Sequence, residues 1–193
     1  MKDAIERKVR ESHEVGARFF EDNAATLETC VHALVERFRR GGRLLVLGNG
    51  GSACDAAHVA VEFVHPIVEK RKPLPAAALT NDMAVLTAIG NDADFSAVFE
   101  RQLGVLGRAE DAALGISTSG ASSNVLRGLT AAKRAGMLTI GFAGRDGGRM
   151  PDVCDHCFVV KTWSIHRVQE THTLLLHLLW DLVHVAMGED DVL

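Results

Sequence analysis

From Gly42 onward the chain alternates between short, almost wholly apolar runs and longer stretches whose apolar residues recur every three or four positions. The apolar runs fall at 43–48, 76–79, 111–116, 137–142 and 156–160, and the helical stretches at 52–64, 82–89, 96–106, 122–135 and 167–187. Such alternation dictates a parallel sheet, because each strand must return through a crossover helix to lie beside its neighbour in the same direction. Runs without a polar face belong to strands buried on both sides, so helices must cover the sheet above and below. The pattern predicts an α/β chain: a doubly wound, five-stranded parallel sheet closed by a long C-terminal helix. The whole of 1–193 reads as a single domain, long enough to bury a sizeable core.

Two helices are expected ahead of the first strand. Residues 3–20 place Ile5, Val9, Phe19 and Phe20 roughly on one side of a helix. After Asp22-Asn23, the residues Leu27, Val31, Leu34, Val35 and Phe38 recur at helical spacing, and Gly41-Gly42 ends the run. Residues 1–41 thus form a helical extension that either covers the domain or pairs with another subunit.

Two loops carry the chemistry of an anion site. Gly48-Asn49-Gly50-Gly51-Ser52 follows the first apolar run, and Ser117-Thr118-Ser119-Gly120-Ala121-Ser122 follows the third; a helical stretch comes after each. A small-residue loop between strand and helix aims unpaired backbone N–H groups and the positive end of the helix dipole at a ligand. Hydroxyl groups add donors. Neither loop contains Lys or Arg, so neutral groups and dipoles would hold the anion, and a phosphorylated metabolite is the natural guest. In the flavodoxin-like strand order 2-1-3-4-5 the first and third strands are neighbours, and ligands bind at the switch point between their C-terminal ends. Loops distant in sequence would then meet in one crevice.

A net charge of −4 argues against general nucleic-acid binding, and Lys70-Arg71-Lys72, in the proline-bracketed connection His65 to Pro75, reads as solvated charge. No apolar run is long enough to span a bilayer and the N-terminus is charged and amphipathic, so no membrane contact and a cytoplasmic location are expected. Cys30, Cys54, Cys154 and Cys157 suggest no disulfide framework. The single C-x-x-C, Cys154-Asp155-His156-Cys157, lacks a second ligand pair for a structural zinc and runs into a strand.

Beside the first loop, the helix at 52–64 carries Asp55, His58 and Glu62. His58 and Glu62 are four apart and share a face; they are a surface pair, or half of a divalent metal site or of an acid/base pair. The last helix carries Gln169, Glu170, His172, His177, Asp181 and His184 among leucines. Histidines on an apolar helix are usually core residues. Gln169 and His177 lie about 80° apart around an ideal helix and about 12 Å apart along it, so spacing alone does not pair them. Gly90-Asn91-Asp92 reads as a turn and Thr80-Asn81-Asp82 as a helix cap.

Together, GNGGSACDAAHVAVEF at 48–63, AIGND at 88–92, GISTSGASSNV at 115–125 and RVQETHTLLLH at 167–177 resemble the sugar isomerase (SIS) family, and among its members the phosphoheptose isomerases. The resemblance runs over nearly the whole chain. It implies isomerisation of D-sedoheptulose 7-phosphate to D-glycero-D-manno-heptose 7-phosphate through an enediolate, the first step toward nucleotide-activated heptose. It implies phosphate held by Ser117, Thr118, Ser119 and Ser122 with Ser52 nearby, and sugar contacts from Asn49, Gly50, Gly51, Glu62, Asn91, Asp92 and Gln169. One Zn2+ per subunit would be bound by His58, Glu62, Gln169 and His177, with Glu62 and His177 catalytic. It further implies a homotetramer, assembled here through the N-terminal helices. The competing expectation is a phosphosugar-binding protein without catalysis, resembling the replication initiator-associating factor of the same family; the retained His58, Glu62, Gln169 and His177 favour the enzyme. Two departures, His65-Pro66 in place of a Gly-Arg pair and His166 ahead of RVQE, bear on the exact substrate.

Overall fold

Leu44 and Val46 turn to one side of a sheet and Leu45 and Leu47 to the other, and an apolar core forms against each face. The computed structural model of the protein describes residues 1–68 and 71–191. Five parallel strands, β1 (Leu44–Gly48), β2 (Ala76–Ala78), β3 (Ala112–Ser117), β4 (Leu138–Gly144) and β5 (His156–Val160), lie in the order β2-β1-β3-β4-β5. β1 and β3 pair from Leu44↔Ala112 to Gly48↔Ile116, so the two loops emerge side by side at the C-terminal edge of the sheet. The strand order and the expected strands are both borne out.

One core is built with α1 (Lys2–Arg39), α2 (Gly51–Val64) and α7 (Ile165–Ala186); the other with α4 (Val98–Leu106), α5 (Ser123–Arg134) and the single turn α6 (Met150–Val153), with α3 (Met83–Asp92) beside it. The side chains of Phe63, Phe142, Phe158 and Leu34 are fully buried in the first, those of Phe99 and Leu129 in the second. At about 25 cal/mol per Å² of apolar area, a buried side chain of this kind stabilises by roughly 1.5–3 kcal/mol relative to exposure.

Three expectations are corrected. The N-terminal segment is one helix of 38 residues, not two. Asp22-Asn23 does not break it, because Asn23 Nδ2 donates to the Phe19 carbonyl one turn back (2.8 Å), while buried Phe19 and Leu27 hold both sides of the junction in the core. Gly90-Asn91-Asp92 is the last turn of α3 rather than a separate turn; Asp82 does cap that helix, accepting from Val85 N–H at 3.0 Å. Within His65 to Pro75, Arg71 is not solvated charge. It is buried, ion-paired with Asp181, and lies over the Trp180 ring at 4.6 Å. Lys70 of the basic run lies outside the described residues. Among the described residues no helix is long and apolar enough to cross a membrane.

Candidate active site

The serine loop is built by its own hydroxyls and by the backbone beneath it. Ser117 Oγ lies 2.9 Å from Ser122 Oγ and 3.4 Å from Ser119 Oγ, and Ser119 Oγ accepts from Ala121 N–H at 3.2 Å. Ser122 is the N-cap of α5, yet its hydroxyl turns to Ser117 rather than capping its own helix. The N–H groups of the first turn therefore stay available to an anion, save that of Val125, which donates to Asn124 Oδ1. Gly120 has φ +62°, and a Cβ there would lie 1.9 Å from the Gly147 carbonyl oxygen. Only glycine permits that approach, and Arg149 N–H donates to Gly120 O (3.0 Å), so the segment after β4 forms the floor of the loop.

The first loop meets the second directly. Asn49 Nδ2 donates to Asn124 Oδ1 and Asn124 Nδ2 donates to Asn49 Oδ1, both at 2.8 Å. The expected convergence of the two loops is thus present. Asn124 belongs to no spacing motif in the sequence. Its signal is a polar residue on the buried stripe that Val125, Gly128, Leu129 and Ala132 continue along α5.

α2 and α7 both start at this edge of the sheet and pack against each other. At their start, Gly51 gives room to Gln169: a Cβ would lie 2.3 Å from Gln169 Nε2. About two turns further along both helices, His58 Nε2 lies 3.2 Å from His177 Nε2 and 3.3 Å from Glu62 Oε1. The rings meet edge-on with centroids 4.8 Å apart. One ligand atom from each of His58, Glu62 and His177 falls within a 4.8 Å cluster, the one group of this kind among the described residues. His58 Nε2 has at most one proton to share between its two contacts, whereas a divalent cation would take a lone pair from each of the three atoms. Two imidazoles and a carboxylate form a donor set suited to zinc, so these residues fit a metal. One turn before His58, the half-buried Asp55 has a carboxyl oxygen without a partner; burial pushes its pKa up, against the opposing pull of His58.

The remaining candidates are placed less centrally. Asn91 and Asp92 are exposed at the end of α3, and Asn91 Nδ2 donates to Asp92 Oδ1 (2.7 Å). His166 and His65 are exposed, while His172 and His184 are fully buried. His172 Nε2 lies 3.1 Å from the Ala143 carbonyl, which can only accept, so the imidazole donates there; burial lowers its pKa to about 4. Cys154 and Cys157 are free thiols in contact across the start of β5, outside any metal group among the described residues.

Residues 9–144 match the family model described as the SIS domain. A phosphoheptose isomerase of Desulfovibrio desulfuricans is 46% identical over 188 residues, 97% of this chain and 90% of that protein. Among solved structures, phosphoheptose isomerase GmhA from Neisseria gonorrhoeae superposes with a TM-score of 0.88 at 35% identity, covering 94% of this chain and 97% of that one. A phosphoheptose isomerase from Francisella tularensis gives 0.90 at 32% identity, covering 95% and 97%.

Proposed function

The chain belongs to the SIS domain family and, within it, to the phosphoheptose isomerases, and from that premise we propose how its residues perform the isomerisation of D-sedoheptulose 7-phosphate to D-glycero-D-manno-heptose 7-phosphate. The convergence of His58, Glu62 and His177 on α2 and α7, the helices that start at the same edge of the sheet as the neutral, hydroxyl-rich loops, is the observation that carries the proposal.

The phosphate is held at Ser117, Thr118, Ser119 and Ser122, with Ser52 at the start of α2 and the open N–H groups of α5 adding donors. Because this grip is remote from the reacting carbons, its effect is to fix the sugar with C1 and C2 against α2 and α7. Glu62 removes a proton from C1 of the ketose and returns it to C2, and His177 moves the hydroxyl proton between O1 and O2. Asn49, Gly50, Gly51, Asn91, Asp92 and Gln169 border the sugar. His58, Glu62 and His177 would hold one zinc ion per subunit, with Gln169, about two turns earlier on α7 beside Gly51, proposed as its fourth ligand. When bound, zinc supplies Lewis-acid polarisation of the carbonyl and hydroxyl oxygens. A carboxylate bound to a cation would be a weaker base, so Glu62 would serve one of the two roles, ligand or base, at a time.

The whole chain serves as one domain, with 1–41 as its assembly element in a homotetramer. Two features support that assembly: exposed Ile5 and Val9 on α1, and an apolar groove of about 470 Å³ between α1 and α7 lined by Leu27, Val31, Leu178 and Leu182. Free thiols at Cys30, Cys54, Cys154 and Cys157 suit a cytoplasmic location.

The test is a panel of five-, six- and seven-carbon ketose phosphates assayed on one preparation whose metal content is also measured. Preferred turnover of the seven-carbon ketose with about one zinc per chain is expected. Preference for a shorter sugar, or full activity without metal, contradicts the proposal.

A further inference from the structure

We infer that Asn49 and Asn124 form a clamp that sets the distance between the two loops, and that Asn124 is thereby a positioning residue for the isomerisation, resting on the site described above. The two amides exchange both of their hydrogen bonds, each at 2.8 Å, and Asn124 Oδ1 also accepts from Val125 N–H at 2.9 Å. Asn124 is 3% exposed. Among the described residues these are the only side-chain hydrogen bonds between 48–52 and 117–124.

The inference changes what Asn49 does. Its carbonyl oxygen and one amide hydrogen are engaged by Asn124, so the side chain is occupied within the protein and the backbone of the loop is what faces the substrate. β1 and β3 already bring the loops side by side through backbone pairing that ends at Gly48↔Ile116. Beyond that pair the strands no longer fix the loops, and the amide pair takes over the register. One loop leads into α5, which holds the phosphate; the other leads into α2, which carries His58 and Glu62. A reacting carbon must sit within a fraction of an ångström of its base, and misplacement by about 1 Å costs on the order of 100-fold in rate. The clamp therefore couples the anchor of one sugar end to the chemistry at the other.

The test is a double-mutant cycle on the purified full chain. Asn49→Ala, Asn124→Ala and the double variant are assayed with sedoheptulose 7-phosphate, with inorganic phosphate as competitive inhibitor and thermal melting as the check on folding. Each single variant is expected to lose about 10- to 100-fold, mainly in kcat. The double variant should lose no more than the worse single one, and the phosphate inhibition constant should stay within about two-fold of wild type, since the serine loop is intact. Losses that multiply in the double variant mean that Asn49 meets the substrate on its own, and they overturn the clamp. Wild-type kcat in either single variant overturns it as well. If Asn124→Ala fails to fold, Asn124→Ser takes its place, because its hydroxyl can still accept from Val125 N–H but cannot reach Asn49. Failure of the phosphate site is a separate result: Ser119→Ala would then leave phosphate inhibition unchanged, whatever the cycle shows.

Discussion

At the scale of single residues, the proposed mechanism divides the work between the Glu62 carboxylate and the serine hydroxyls. Glu62→Gln keeps the shape and removes the base; kcat is expected to fall by about 10²–10⁴-fold while calorimetric titration still detects sugar phosphate binding. Ser119→Ala should instead raise KM about 10- to 100-fold with a smaller change in kcat, the loss of one hydrogen bond to a charged group. The sequence made His58 and Glu62 legible as a pair because four-residue spacing puts both on one face of α2. Spacing left His177 unpaired, and only the family resemblance joined it to them, because helical spacing says nothing about which helix lies opposite. Only the packing of α7 on α2 brings its ring to His58. Asn124 was hidden for a related reason: its partner is on the other loop, and a polar residue on a buried stripe shows a need for a partner without naming it.

At the scale of elements, the strands and their order were legible because short, almost wholly apolar runs alternating with helices leave little freedom in a parallel sheet. The N-terminal helix runs unbroken through Asp22-Asn23, where weak local propensity yields to burial of Phe19 and Leu27. The serine loop's floor was not legible at all, since the segment from Gly144 to Arg149 carries no hydroxyl pattern of its own. Its importance predicts that Gly120→Ala is damaging. The backbone has positive φ and the new Cβ would strike the Gly147 carbonyl, so melting should drop by about 3–10 °C and phosphate affinity should fall with it. A variant with unchanged melting and unchanged phosphate inhibition would show that this turn does not shape the loop.

At the scale of the whole molecule, pH acts on stability through the buried imidazole of His172. Its folded value, about 4 against 6.5, is depressed because burial disfavours the charged ring. The unfolded chain therefore takes up a proton that the folded chain resists. The stabilisation is complete above pH 6.5 and is lost as pH falls toward 4, by about 3 kcal/mol from this residue alone. Denaturant unfolding across that range should show the slope, and His172→Gln should flatten it; an equal slope in both proteins would assign it elsewhere. Assembly belongs to the same scale. Light scattering should give four times the chain mass, and a charged residue at Ala24, exposed on the apolar groove between α1 and α7, should lower that mass without unfolding the chain. The central claim is that one crevice grips the phosphate while Glu62 shuttles a proton between C1 and C2. Its most direct test is turnover in heavy water followed by NMR of the sugar. Deuterium should enter at C2 of the aldose with the wild-type chain and not with Glu62→Gln; deuterium entering at the same rate with both proteins would contradict the account.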